Sequence, residues 1–161
     1  MLEILISYYS RTGTTKKLAG KLVKEFKADS LEIIDRRNRK GFFALIKASF
    51  DALTANVTVI EQFPHQLEDY DLIILGNPVW AASITPALRT FLLGNSEILP
   101  EVAFFLTHAG SGTERSFKQM ESLTGRDPLA TLVLERSIIQ QEKPELEEEI
   151  KHFKDLIESK L

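Results

Sequence analysis

Apolar positions along this chain fall into blocks of two kinds. Leu2 to Tyr8 is apolar at nearly every position, as expected of a strand buried on both faces. Leu72 to Gly76, Val102 to Thr107 and Leu129 to Leu134 repeat that pattern, and Ser30 to Ile34 is a weaker, more polar version. Between them the period changes to that of a helix. Thr14 to Phe26 puts Leu18, Leu22, Val23 and Phe26 on one side. Gly41 to Leu53 predicts a helix. Thr85 to Leu93 predicts another, started by Pro86, and Thr113 to Leu123 a third, ending near Gly125. A last helix begins at Pro144, with Leu146, Ile150, Phe153 and Ile157 on one face. Glu147 lies four residues before Lys151, the favourable order for a surface pair.

Strands that alternate with helices imply βαβ units and a parallel sheet covered on both faces. The 161 residues carry no linker rich in Pro, Gly or Ser, so one domain over 1–161 is expected. Arg36 to Tyr70 is longer than one crossover requires. Within it Arg36-Arg37-Asn38-Arg39-Lys40 precedes the apolar Phe42 to Ile46, which reads as a crossover helix with a solvated basic start.

Composition narrows the chemistry. There is no cysteine, which excludes thiol catalysis, disulfides and thiolate metal sites. The three histidines, His65, His108 and His152, are scattered, so no metal site is expected. A formal net charge of -3 does not call for nucleic acid or an anionic membrane. No apolar run approaches the roughly 20 residues of a membrane span. Met1 leads straight into a strand with no basic leader, so cytoplasmic residence is expected.

Ser10-Arg11-Thr12-Gly13-Thr14-Thr15 joins the first strand to the first helix. In an open parallel sheet such a loop lies at the carboxyl edge, where a helix N-terminus offers free N–H groups to an anion. Dinucleotide loops need several glycines so that backbone approaches a pyrophosphate. Here one glycine is surrounded by four hydroxyl side chains, which suits a terminal phosphate monoester. The simpler reading is that these hydroxyls only cap the helix.

At these residues the chain resembles the flavodoxin family, whose phosphate loop reads Thr/Ser-x-Thr-Gly-x-Thr. Asp71 to Trp80 is similar to the family's third strand and first ring-contacting loop, and Thr107 to Thr113 to its second. The resemblance implies a three-layer α/β sandwich, a five-stranded parallel sheet in order 2-1-3-4-5 with helices on both faces, and FMN at the switch between strands one and three. It further implies that Ser10, Thr12, Thr14 and Thr15 hold the phosphate together with the backbone of Arg11 and Gly13. Asn77, Pro78, Val79, Trp80 and Ala81 would approach the flavin ring from one loop, and His108, Ala109, Gly110, Ser111 and Gly112 from the other. Trp80 either stacks on the ring or plugs a neighbouring helix. Arg11 points to solvent or adds charge over the phosphate. His108 is a candidate proton donor, against the plain alternative of a structural histidine at a strand end.

Electron-carrier members of the family cover the ring with a second aromatic and are strongly acidic. Ala109 to Glu114 holds no aromatic, and this chain is only mildly acidic. The resemblance therefore leans toward an FMN-dependent NAD(P)H:acceptor oxidoreductase of the quinone-reductase type. The alternatives are a carrier that docks protein redox partners and a binding module without redox activity. A homodimer is left open.

Overall fold

The computed structural model describes residues 1–37 and 57–161. Its sheet contains β1 (Ile4–Tyr8), β2 (Asp29–Glu32), β3 (Leu72–Pro78), β4 (Glu101–His108) and β5 (Thr131–Glu135), all parallel, in the order β2-β1-β3-β4-β5. The expected strand order is the observed one.

The central strands send alternate residues to opposite faces, which is why they are apolar throughout. Leu5, Ile73, Leu75, Phe104 and Leu106 pack on one side, under α2 (Pro86–Asn95) and α3 (Thr113–Thr124). Ile6, Ile74 and Phe105 pack on the other, under α1 (Thr14–Phe26) and α5 (Glu145–Glu158). All the named strand side chains are fully buried. β5 is an edge strand, and its residues alternate between exposed and buried. A short helix, α4 (Arg136–Gln140), follows β5 directly and has no counterpart in the sequence pattern.

Two local differences have clear causes. Pro86 occupies the first turn of α2, and Thr85 caps it by accepting from Leu88 N at 3.3 Å. Glu147 meets Lys21 of α1 at 2.6 Å rather than its own-helix neighbour Lys151, because α1 and α5 lie side by side on one face of the sheet. The expected helix over 41–53, with its apolar stripe and most of the basic run, lies outside the described residues. At the edge of that segment Asp35 pairs antiparallel with Ile60, and its carboxylate accepts from Thr58 Oγ1 and Arg37 N, each at 2.8 Å. No helix among the described residues is long and apolar enough to cross a membrane.

Candidate functional site

The connections leaving β1 and β3 diverge at the carboxyl edge of the sheet, because their strands neighbour each other while their helices lie on opposite faces. A cavity of about 250 Å³ opens there. From the β1–α1 loop and the first turn of α1 it is lined by Ser10, Arg11, Thr12, Thr14 and Thr15. The loop after β3 adds Pro78, Val79, Trp80 and Ala81, and the end of β4 adds Thr107, His108 and Ala109. Arg136 of α4 completes the wall. Asn77, Gly110, Ser111 and Gly112 are absent from that lining, and Gly13 faces an adjoining cavity that shares Ser10 and Arg11.

The loop is built by Ser10 and Gly13. Gly13 adopts φ +100°, which an L side chain rarely takes, and this lets the chain turn into α1. Ser10 Oγ accepts from Gly13 N at 3.1 Å and Lys16 N at 3.2 Å. So Ser10 does cap the loop, as the simpler reading has it, and it uses the Gly13 amide in doing so. The other hydroxyls are placed differently. Thr15 Oγ1 lies 2.8 Å from Thr107 Oγ1, a buried bond that ties α1 to β4. Thr12 is exposed, and its hydroxyl has no partner among the described residues. The first intrahelical bond runs from Lys17 N to Gly13 O, so the N–H groups of Thr14 and Thr15 precede it and have no acceptor within the helix. Just outside, Lys16 is bonded to Glu32 at 2.7 Å, which holds its ammonium above the usual lysine value.

Trp80 sits on a tight reverse turn. Its N–H and carbonyl both bond Ser83 at 2.9 Å, and the two residues between, Ala81 and Ala82, have φ +48° and +57°. That is the type I′ pattern, which favours Gly and Asn over alanine. Gln119 of α3 steadies the turn, accepting from Ser83 Oγ at 2.9 Å and Ile84 N at 3.0 Å. The turn also presses on the second loop: a Cβ on Gly112 would lie 2.4 Å from Ala82 Cα. Asn77 is fully buried, accepting from Thr85 Oγ1 and donating to the Pro78 carbonyl, both at 2.7 Å. Asn77 and Gly112 thus shape the loops from behind.

Trp80 is 9% exposed. It meets Tyr9 edge-on at 5.5 Å, and the Arg11 guanidinium lies 5.7 Å from its centroid. Arg11 therefore lies over Trp80 instead of pointing to solvent, and its buried Nε has no hydrogen-bond partner. His108 Nδ1 accepts from Gly110 N at 3.1 Å. With Nδ1 taken by that backbone bond, Nε2 is the ring nitrogen left for a ligand.

Sequence reasoning missed Gln119 and Arg136, and placed Thr107 in the second loop without a role. The available signal for Arg136 was its position just past the carboxyl end of a parallel strand, the edge at which such sheets bind ligands.

Together the strand order and the loop-edge cavity define a flavodoxin-like α/β fold. Among solved structures, the chain is similar to a flavoprotein from Lactobacillus acidophilus NCFM in complex with FMN. The two share 23% identity with a TM-score of 0.73, over 88% of this chain and 98% of that one. It is also similar to a flavodoxin from the domain Archaea (13%, TM-score 0.60, 98% of each chain). A third likeness is to the apo form of an NADH:FMN oxidoreductase (15%, TM-score 0.59, 99% of this chain and 90% of that one). No family profile matches the chain.

Proposed function

We propose that this chain is an FMN-binding redox protein, and that it acts as an NAD(P)H:acceptor oxidoreductase of the quinone-reductase type. The observation that carries the reading is the donor set at the β1/β3 switch point. The cavity lining combines hydroxyls, a helix N-terminus and two arginines, with no Asp or Glu among the described residues, in a chain whose net charge is -3. That set fits a phosphate monoester dianion. FMN supplies, when bound, an isoalloxazine that accepts and passes on hydride or electrons, chemistry that no side chain of a cysteine-free protein provides.

Thr12, with the amides of Thr14 and Thr15, would hold the phosphate. Ser10, Thr14 and Thr15 act mainly by fixing the loop, since their hydroxyls are already engaged. Pro78, Val79, Trp80, Ala81, His108 and Ala109 border the ring region. His108, with Nδ1 taken by Gly110 N, leaves Nε2 for the site and is the candidate for moving a proton. The reductase reading is favoured over the carrier by the exposed Ala109, Gly110 and Ser111, which put no aromatic over that side of the site. The FMN complex and the NADH:FMN oxidoreductase among the similar structures are consistent with it.

Titrating the purified protein with FMN tests the cofactor: quenching of flavin fluorescence is expected, and no uptake ends both redox readings. Quinone reduction with NADH or NADPH then separates enzyme from carrier, since a carrier gives no such turnover. Thr12→Ala is expected to weaken FMN binding by at least about ten-fold, the worth of one bond to a charged group. Unchanged affinity would remove Thr12 from the site.

A further inference from the structure

We propose that Arg136 is a specificity-determining residue of this cavity, a fixed cation that reads the 5′-phosphate and separates FMN from riboflavin. The inference rests on the FMN reading above.

Arg136 is the first residue of α4, delivered to the carboxyl edge by β5. It is held there by Gln140, one turn later. With its amide oriented so that the carbonyl faces donors, Gln140 Oε1 accepts from Arg136 Nε at 2.8 Å and Nη2 at 3.3 Å. The same oxygen accepts from Thr14 Oγ1 at 3.3 Å. The opposite orientation would aim the amide NH₂ at the guanidinium, donor against donor. One carbonyl thus ties the guanidinium to the first residue of α1, where the free amides converge. The guanidinium has five N–H donors, and Gln140 engages only one edge of it, so donors remain for an anion.

The other cationic or titratable groups around the cavity are held differently. Arg11 keeps its charge but lies over the Trp80 indole, and no bond among the described residues ties it to Thr14 as Gln140 ties Arg136. His108 has its Nδ1 turned to the Gly110 amide of its own loop. Glu135, beside Arg136 in sequence, accepts from Ser137 Oγ at 2.8 Å and does not line the cavity. A phosphate monoester carries close to two negative charges at neutral pH, so a permanent guanidinium beside helix amides favours it over the neutral hydroxyl of riboflavin.

The test is FMN and riboflavin affinity, measured side by side for the wild type, Arg136→Gln and Arg136→Lys. Arg136→Gln is expected to weaken FMN at least about ten-fold, leave riboflavin unchanged and flatten the salt dependence of FMN binding. Arg136→Lys is expected to recover part of the FMN affinity and its salt dependence. Equal weakening of both flavins would make Arg136 a structural residue only, and unchanged FMN affinity would remove it from the site; either result overturns the proposal. A wild type that binds riboflavin as tightly as FMN also overturns it. If the wild type binds neither flavin, the FMN reading itself fails, and this inference with it.

Discussion

Phe105→Ala is expected to lower the unfolding free energy by about 3–5 kcal/mol, the cost of emptying a large buried aromatic site. Phe105 is fully buried on the α1/α5 face of the sheet. Its ring lies across the neighbouring strand, over Gly76, with which it is in register. A Cβ built on Gly76 would come within 1.9 Å of Phe105 Cζ, so the glycine is the space the ring occupies. Gly76→Ala alone should therefore cost about 1–3 kcal/mol by overpacking. The two changes compensate in volume, and the double variant is expected to cost clearly less than their sum. Urea denaturation of all four proteins measures the coupling. Additive costs would mean that the ring does not need the space at Gly76. Because Gly76 immediately precedes Asn77 and Pro78, the overpacked single variant should also disturb the loop that carries Trp80.

The strands that build this core were legible because β1, β3 and β4 are buried on both faces and leave unbroken apolar runs. α1 was predicted with its observed bounds, since Gly13 punctuates one end and the apolar stripe runs to Phe26 at the other. The edge strands were placed less well. Ser30 to Ile34 slid to Asp29–Glu32 and Leu129 to Leu134 to Thr131–Glu135, because an edge strand is half polar and pairing with one neighbour sets its limits. α4 has five residues, too few for any period to show. The site divides in the same way. The β1–α1 loop is contiguous and could be read as a motif. The contact between Gln140 and Thr14 joins residues 126 positions apart and follows only from β5 lying at the far edge of the sheet. Nor does a run of hydroxyls reveal that Ser10 serves the loop, that Thr15 serves β4, or that Thr12 alone is left unpartnered.

The two ring-side loops were read as separate motifs, but they meet at one point, and a change there should affect both stability and binding. Gly112→Ala is expected to cost about 2–5 kcal/mol. Two causes add. At φ +94° an alanine is strained by about 1–3 kcal/mol. Its Cβ would also lie 2.4 Å from Ala82 Cα, and a backbone atom cannot rotate away as a side chain does. The structure has two ways to respond, and each damages the site. If the Ala81–Ala82 turn retreats, Trp80 loses its paired bonds to Ser83. If Gly112 retreats, α3 loses the cap in which Ser116 N and Oγ bond the Gly112 carbonyl at 3.2 and 2.9 Å. Ala82→Gly separates the two causes. By itself it should be neutral or stabilising by up to about 1 kcal/mol, since it relieves a positive φ. Combined with Gly112→Ala it removes the Cβ contact at 2.6 Å but leaves the one to Cα, so rescue should be partial. Thermal melts and FMN titration of the three variants are the measurement. Full rescue by Ala82→Gly would show that the loops touch through side chains alone. A Gly112→Ala protein with wild-type stability and affinity would show that the two loops move independently.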